Sequence, residues 1–247
     1  LLFSNLLFAQ SSDNQKYQQL LRKADTLYDQ REDFHKAKQA LYLFLQYNKE
    51  LPEDVEGLWR LSMGYYYVGH LLKGKENRFK RKDYFSKGKK AGEKCEKLVL
   101  KPKVECYFWQ ATNLALLQQE KGIVSLAFSL NIIIDLLEKA KDTNANYASA
   151  GSYRTLAILY SKAPSIFGGN NAKAMNYIQK SIVLSPNEPL NIVVYAKILI
   201  NEDNKLLAIQ TISNFIKNAD PLDFSYFESK NAFKELHYFL KHEQWPK

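Results

Sequence analysis

The stretch Ser152–Pro186, SYRTLAILYSKAPSIFGGNNAKAMNYIQKSIVLSP, decides the fold class of this 247-residue chain. Its first part places large and small residues at spacings of three and four, at Tyr153, Leu156, Ala157 and Tyr160. After a turn at Gly168-Gly169-Asn170, the pattern returns at Ala174, Ile178 and Ser181. This periodicity is typical of helices, and small residues let two helices approach closely. The stretch predicts a helical hairpin that carries the insertion SKAPSIF and closes at Pro186.

The same template recurs along the chain and resembles the tetratricopeptide (TPR) repeat. Matching positions are Ala24, Ala37, Leu61, Tyr65, Ala111, Leu114, Ala196, Ala208 and Ile212. Only 10 glycines and 7 prolines are present, which disfavours strand-and-turn folds. We therefore predict an all-α fold: a right-handed superhelix of about five TPR-like helix pairs, with a C-terminal capping helix in FESKNAFKELHYFLKH.

The positive charge is concentrated in one segment. Residues 73–97 carry a net charge of +7, out of +9 for the whole chain. A basic insert at about 72–83 contains six cationic residues: Lys73, Lys75, Arg78, Lys80, Arg81 and Lys82. The insert could be a patch that docks an acidic partner or anionic lipid heads, or it could be a solvated surface. Nucleic-acid binding is not predicted, because the rest of the chain is nearly neutral.

The first ten residues have the character of an export signal. Leu1–Ala9 is typical of the end of an apolar signal-peptide core, and Ala9 suits the position before a cleavage site. The other interpretation is the end of a short hydrophobic helix. We expect residues 1–10 to be a signal remnant and residues 11–247 to be the TPR-like domain. Because no cysteine follows the apolar run, we expect no lipid anchor, and no run reaches the ~18 apolar residues of a membrane span.

A more specific resemblance covers residues of about 50–220. The sequence here is similar to the T-component family of TRAP-type periplasmic transporters. The similarity lies in the order of five segments: EGLWRLSMGYYYVGH, a charged insert, YFSKGKKAGEKCEKL, VECYFWQATNLALL and YRTLAILYSKAP. This resemblance implies a helical periplasmic protein that contacts a solute-binding protein. It also implies that homo-oligomers can form.

The first helices of stacked pairs line the concave face, so their outward positions form a candidate groove. Aligning the repeats places eight residues there: Trp59, Met63, Tyr66, Tyr67, Phe108, Thr112, Arg154 and Ile158. Aromatic residues with one fixed cation suit a peptide segment or a small amphipathic carboxylate. The alternative is that the basic insert or the terminal helix covers these residues as ordinary core.

Two cysteines, Cys95 and Cys106, lie at similar distances from the turn near Leu100–Lys101. An antiparallel helix pair would bring them opposite one another. They are either two buried small hydrophobic residues or a disulfide, which an exported protein would favour.

No catalytic, cofactor or metal motif appears in the sequence. His35, His70, His237 and His242 form no HExxH pattern, the chain has no CxxC, and Gly168-Gly169 lacks a following GK[ST]. We therefore predict a non-enzymatic binding or adaptor protein without a cofactor. The two functional interpretations are the transporter T component and a general cell-envelope scaffold that binds peptide segments of an assembly complex.

Overall fold

The computed structural model describes residues 2–224 and 226–246, with side chains described from residue 17 onward. In this part of the chain there are eleven α-helices, three short 3-10 turns and no strand, which confirms the all-α prediction. The helices are α1 Leu2–Asp29, α2 Phe34–Glu50, α3 Val55–Leu71, α4 Arg78–Leu98, α5 Val104–Lys121, α6 Ile123–Thr143, α7 Tyr147–Lys162, α8 Asn171–Leu184, α9 Pro189–Asn201, α10 Lys205–Asn218 and α11 Phe227–His242. The 3-10 turns are Lys75–Asn77, Ser165–Phe167 and Pro221–Asp223.

Several helices begin where an Asp or Asn side chain accepts a hydrogen bond from a free backbone N–H. Asp33 accepts from His35 N at 2.7 Å, Asp54 from Gly57 N at 2.8 Å, and Asn170 from Lys173 N at 2.8 Å. Such caps satisfy donors that the first turn of a helix leaves unpaired. The polar breaks in the sequence pattern therefore set where α2, α3 and α8 start.

The chain divides into two compact units, Leu1–Ser129 and Leu130–Lys247. In the first unit α1 packs on α2, α2 on α3, and α3 and α4 on α5. Glycines make the closest approaches. A Cβ on Gly69 would meet the Phe85 ring at 2.7 Å, and one on Gly92 would meet Gln110 Cβ at 2.7 Å. Close packing of α4 therefore depends on the absence of side chains at these positions.

In the second unit α7 pairs with α8, α9 pairs with α10, and α11 packs on both α9 and α10. The predicted repeat positions Ala196, Ala208 and Ile212 are fully buried or nearly so. Leu236 and Phe239 of α11 complete the same cluster. The C-terminal helix thus covers the apolar side of the last pair, as expected of a capping helix.

In residues 2–224 and 226–246, no helix combines the length and the apolar character that crossing a membrane requires. The signal-peptide prediction for residues 1–10 falls outside the described side chains, so it stays a prediction.

Candidate functional site: the α1–α3–α5 face and the α7 turn

Six of the eight predicted groove residues belong to the first unit, on α3 and α5. Met63, Tyr67 and Phe108 are buried, whereas Trp59, Tyr66 and Thr112 are half-buried. Arg154 and Ile158 are half-buried on α7 and belong to the second unit. The structure therefore divides the predicted set between two units.

In the first unit, Tyr66, Tyr67 and Phe108 join a cluster of rings with Tyr28 and Trp109. The Tyr66 and Trp109 ring centroids are 5.2 Å apart, those of Tyr66 and Tyr67 5.1 Å, and those of Phe108 and Trp109 5.1 Å. The Tyr28 ring meets Tyr67 edge-on at 5.0 Å. Edge-to-face geometry at these separations is attractive. This ring cluster (Tyr28, Tyr66, Tyr67, Phe108 and Trp109) joins α1, α3 and α5 along one face.

A buried cation lies against the ring cluster. The Arg31 side chain follows α1, and the residue keeps only 4% of its accessible surface. Its guanidinium carbon is 4.5 Å from the Tyr28 ring centroid and 4.9 Å from that of Tyr67. Its Nη1 also donates to the Tyr28 carbonyl at 3.3 Å. Stacking of a guanidinium on electron-rich rings compensates part of its desolvation, so Arg31 fixes the position of Tyr67.

The exposed edge of the ring cluster is formed by Tyr66. This residue is half-buried, and its ring stacks on the exposed His70 with a centroid distance of 5.6 Å and an interplanar angle of 7°. The half-buried Thr112 is directed back into α5, where its Oγ1 donates to the Phe108 carbonyl at 2.9 Å. The face therefore presents flat aromatic surface to solvent chiefly through Tyr66 and His70.

Trp59 occupies a different environment, at the start of α3. Its Nε1 donates to Glu56 Oε2 at 3.0 Å, and the Arg60 guanidinium lies 4.2 Å from its ring centroid. Arg60 also pairs with Asp25 of α1 at 3.0 Å, and Lys103 pairs with Glu56 at 2.8 Å. These contacts form a charged belt beside the indole, composed of Asp25, Glu56, Arg60 and Lys103.

The contacts of the charged belt lower the pKa of Glu56. Partial burial of the Glu56 carboxylate opposes ionisation, but hydrogen bonds from Lys103, Trp59 and Arg60 outweigh that effect and lower its pKa to about 2. The carboxylate is thus charged at all but strongly acidic pH. It ties α3 to the residue that precedes α5.

Cys95 and Cys106 form a disulfide, with their Cα atoms 5.5 Å apart. Leu58 and both sulfur-bearing residues make one buried cluster, against which Trp59 packs. The bridge joins the last turns of α4 to the beginning of α5, at the end of α4 opposite to the basic insert. Among the described residues no cysteine is free.

The six cations of the basic insert have different environments. Arg78 and Arg81 both bind Glu120 at the end of α5. Lys73 donates to the His70 carbonyl at 3.2 Å. Lys75 and Lys80 are exposed, and Lys82 is half-buried. The insert therefore contains both cations that hold the fold and cations on the surface.

In the second unit, α7 opens with three consecutive residues of left-handed backbone conformation. Ala148, Ser149 and Ala150 have φ angles of 52°, 54° and 58°. Arg154 Nη2 donates to the Ala148 carbonyl at 3.1 Å, and its Nη1 donates to the Ser149 carbonyl at 3.0 Å and to Asn191 Oδ1 at 2.9 Å. Left-handed conformation is costly for residues with a Cβ, so such a turn persists only where its surroundings hold it. The predicted groove cation therefore supports a strained turn.

A cavity of about 230 Å³ lies beside this turn. Its lining includes Ser149, Ser185, Glu188, Asp223 and Ser229. Glu188 is buried, and its two oxygens accept from Leu190 N at 3.1 Å and from Ser229 Oγ at 2.9 Å. Because drug-sized ligands occupy about 300–1,000 Å³, this space suits at most a small polar group.

Metal binding finds no support in the described side chains. Within that part of the chain, no three His, Cys, Asp or Glu residues are grouped so as to hold a metal ion.

Sequence reasoning missed Tyr28, Arg31, His70 and Trp109 as parts of the face. Trp109 directly follows the predicted Phe108, and His70 lies one helical turn after Tyr66. These spacings were the available signals. Arg31 carried none, because a charged residue in a break between helices normally faces water.

Comparisons with known proteins agree on a TPR-like helical protein. A family model described as "RMD1-3: Regulator of microtubule dynamics protein 1-3" matches residues 20–154. The solved structure of TTC0263, a thermophilic TPR protein of Thermus thermophilus, is similar with a TM-score of 0.66 and 16% identity, over 90% of this chain and 99% of that chain. Two structures of MamA align with TM-scores of 0.50 and 16% identity, over 74% and 95% of this chain and 88% and 99% of theirs.

At this level of identity, the likeness to solved structures concerns the fold alone. Among curated proteins, none matches the chain.

Proposed function

The chain belongs to the family described as regulator of microtubule dynamics proteins 1-3, and from that premise we propose that it is a protein-interaction scaffold of the TPR type. Its binding surface is the α1–α3–α5 face of the first unit. TPR-like helix pairs bind partners along the face formed by their first helices. The family match includes all of α3 and α5, which carry most of this face.

The observation that carries this proposal is the partly exposed Tyr66 at the edge of the ring cluster. Tyr66 stacks on the exposed His70 and rests on the buried Trp109. A rigid aromatic side chain that packs on a buried ring is the usual anchor of a binding interface, since little side-chain entropy is lost on binding. The charged belt at the start of α3 adds both signs of charge for orienting a bound segment. A peptide with one apolar anchor and flanking charges fits this arrangement.

The test is a peptide selection followed by affinity measurements with paired variants. Displayed peptides are selected for binding to the whole chain. The selected peptides are then labelled, and their binding is followed by fluorescence anisotropy. Tyr66→Ala is expected to weaken binding about tenfold or more, as truncation of an anchor does. Tyr42→Ala is the matched control, because Tyr42 is an exposed tyrosine on α2. Equal affinity of both variants, or a selection that returns no binding peptide, contradicts the proposal.

A finer proposal concerns the partner and the location. The resemblance over residues of about 50–220 favours a T component in the periplasm that contacts a solute-binding protein. Co-purification and crosslinking from periplasm tests this role, and adjacent genes for a solute-binding subunit and its membrane components would support it. Recovery of an unrelated assembly complex would instead favour the envelope scaffold. Sedimentation of the purified chain shows whether it is a homo-oligomer.

The family description refers to microtubule dynamics in the proteins that it names. Co-sedimentation of the chain with polymerised tubulin is therefore a further arm of the partner test. Pelleting with tubulin that Tyr66→Ala reduces and Tyr42→Ala preserves would assign that partner to the α1–α3–α5 face.

Binding of a small amphipathic carboxylate is a separate proposal. In the first unit it rests on Trp59 beside Arg60, where an indole and a cation are adjacent. In the second unit it rests on Arg154 and on Ile158, one helical turn further along α7. A ligand screen on the wild type, Trp59→Ala and Arg154→Ala tests each position by itself. Unchanged ligand binding in both variants would remove the proposal.

A further inference from the structure

The basic insert and the α5–α6 turn lie at the same end of the first unit. Arg78, the first residue of α4, donates through its Nε to the carbonyl oxygen of Glu120 at 2.9 Å. Glu120 is in the last turn of α5, three residues before α6 begins at Ile123. A guanidinium on a terminal carbonyl is a common way to close a helix end. Residues 73–82 therefore meet the end of α5, and we call residues 73–82 and 120–124 the basic end.

Two arginines of the basic end serve the fold. Arg81 binds the Glu120 carboxylate through Nε and Nη2, and its Nη1 donates to the Gly74 carbonyl at 2.6 Å. Both Arg81 and Glu120 keep less than a fifth of their side-chain surface. A two-pronged pair of this kind is geometrically specific. It holds the turn between α3 and α4 against the end of α5.

The lysines of the basic end remain on its surface. Lys75, Lys80 and Lys82 have no ion-pair partner among the described side chains. Lys73 and Lys121 are also exposed. Glu76 is the single acid within residues 73–82, and Glu120 is already bound by the arginines, so the basic end keeps a surplus of positive charge. The basic end thus presents ammonium groups at its surface, while its guanidinium groups bind Glu120.

Large apolar side chains stand exposed among these lysines. Phe79 of α4, between Arg78 and Lys80, keeps 83% of its surface. Ile123 and Val124, in the first turn of α6, keep 55% and 57%. By contrast Phe85, further along α4, is 2% exposed and anchors the helix in the core. Such exposure of a phenylalanine, with two further apolar side chains exposed at the same end of the unit, is unusual for a surface that faces only water.

We propose that the basic end docks on a bilayer that contains anionic lipids. Lysines near an anionic surface are attracted to lipid phosphates, and exposed Phe, Ile and Val side chains enter the boundary between headgroups and acyl chains. An acidic protein partner is disfavoured, because lysine is depleted and arginine enriched at protein interfaces. Nucleic acid is disfavoured for a related reason, since the planar guanidinium groups that recognise phosphates and bases are bound to Glu120.

The first experiment compares vesicle compositions. The whole chain is sedimented with vesicles of phosphatidylcholine alone and of phosphatidylcholine mixed with phosphatidylglycerol. Binding to the mixed vesicles, weakened by added salt, is expected, because exposed charges are screened. Equal binding to both compositions would contradict the charge argument. Binding to a polyglutamate peptide without binding to the mixed vesicles would assign the basic end to an acidic protein and overturn the proposal.

The second experiment uses matched variants of the same chain. Lys75→Gln, Lys80→Gln and Lys82→Gln together are expected to lower affinity for mixed vesicles on the order of a hundredfold. The control combines Lys217→Gln, Lys230→Gln and Lys241→Gln, three exposed lysines of the second unit with the same change in net charge. Phe79→Ser is expected to weaken binding, whereas Ile166→Ser, at an equally exposed site of the second unit, is expected to leave it unchanged. If each control loses as much affinity as its partner variant, the basic end is not the docking surface.

Discussion

The guanidinium of Arg154 holds the carbonyl oxygen of Ser149 at 3.0 Å, one turn back along the same helix. Ser149 has φ and ψ of 54° and 55°, in the middle of a turn whose hand is opposite to that of the rest of α7. Right-handed helices are the default for L-residues because the left-handed form brings Cβ close to the carbonyl oxygen. The side chain of Arg154 therefore stabilises a left-handed backbone conformation that is unfavourable for Ala148, Ser149 and Ala150, because each of them has a Cβ.

Replacing Ser149 with glycine tests the strain in this turn. Glycine adopts positive φ without a Cβ clash, so Ser149→Gly is expected to raise the free energy of unfolding by about 1 kcal/mol. Ser161→Gly, the same change in the right-handed part of α7, is expected to lower it by about 0.5–1 kcal/mol. Urea unfolding followed by circular dichroism measures both. Destabilisation of similar size by the two changes would contradict a strained turn at Ser149.

The disulfide predicts a measurable difference between oxidised and reduced protein. Cys95 and Cys106 are separated by 11 positions, and a bridge over so short a loop stabilises by about 2–3 kcal/mol in the chain-entropy account. Mass spectrometry without reductant is expected to show a mass lower by two hydrogen atoms. Reduction is expected to lower the urea midpoint of the wild type and not that of the Cys95→Ala, Cys106→Ala double variant. Free thiols in fully oxidised protein would reject the bridge.

Glu56 predicts a loss of stability at acidic pH. Its folded-state pKa of about 2 lies below its ordinary value of 4.5, so its stabilising contribution is complete above the ordinary value. That contribution decreases as the pH falls from about 4.5 towards 2. Glu56→Gln is thus expected to be less stable than the wild type at neutral pH, with the difference disappearing near pH 2. Urea midpoints across this range provide the measurement.

The control for Glu56 is Glu53→Gln, in the exposed loop before α3. Glu53 has no ion pair among the described residues, so little change in stability is expected at any pH. A Glu56→Gln variant with a constant deficit down to the lowest pH would show that its hydrogen bonds do not depend on its charge.

The close approach of Gly88 on α4 to Asn113 on α5 predicts a steric coupling between the two helices. A Cβ at this position would overlap the carboxamide of the buried Asn113, which donates to the Ser62 carbonyl at 3.0 Å. Gly88→Ala is expected to cost about 1–3 kcal/mol, as overpacking does. Lys90→Ala, an exposed change on the same helix, is expected to stay within about 0.5 kcal/mol. Chemical denaturation of both variants provides the comparison.

The coupling itself is measured with the double variant. If the clash is with Asn113, then Gly88→Ala combined with Asn113→Ala costs less than the sum of the two single changes. Strict additivity would place the strain elsewhere.

The helix pairs could be predicted from the sequence because apolar residues recur at spacings of three and four in every repeat. The break after Leu71 and the insertion at Ser165–Phe167 also coincide with short 3-10 turns. Of the three consecutive tyrosines, Tyr65 and Tyr67 are buried and only Tyr66 is half-buried. Periodicity alone placed two of them on the groove side, because it gives the direction of a side chain but not what packs over it.

Two features had no recognisable sequence signal. The left-handed turn contains Ala148, Ser149 and Ala150, none of which is the glycine or asparagine that usually marks positive φ. The binding of Arg78 and Arg81 to Glu120 joins residues about forty positions apart. Contacts of that range depend on how pairs stack, which a single sequence does not specify residue by residue.

The use of one carboxylate, Glu120, by two arginines has a consequence for how this protein can vary among its relatives. Arg81 and the Glu120 carboxylate form a close pair, so substitutions at these two positions are expected to occur together, whereas Arg78 donates to the Glu120 backbone carbonyl, which any residue at that position retains. The neighbouring lysines have no ion-pair partner in the described part of the fold, so helix packing does not restrict the residues at their positions. Relatives can therefore differ widely in the charge that they carry at this end while they keep the same helical framework.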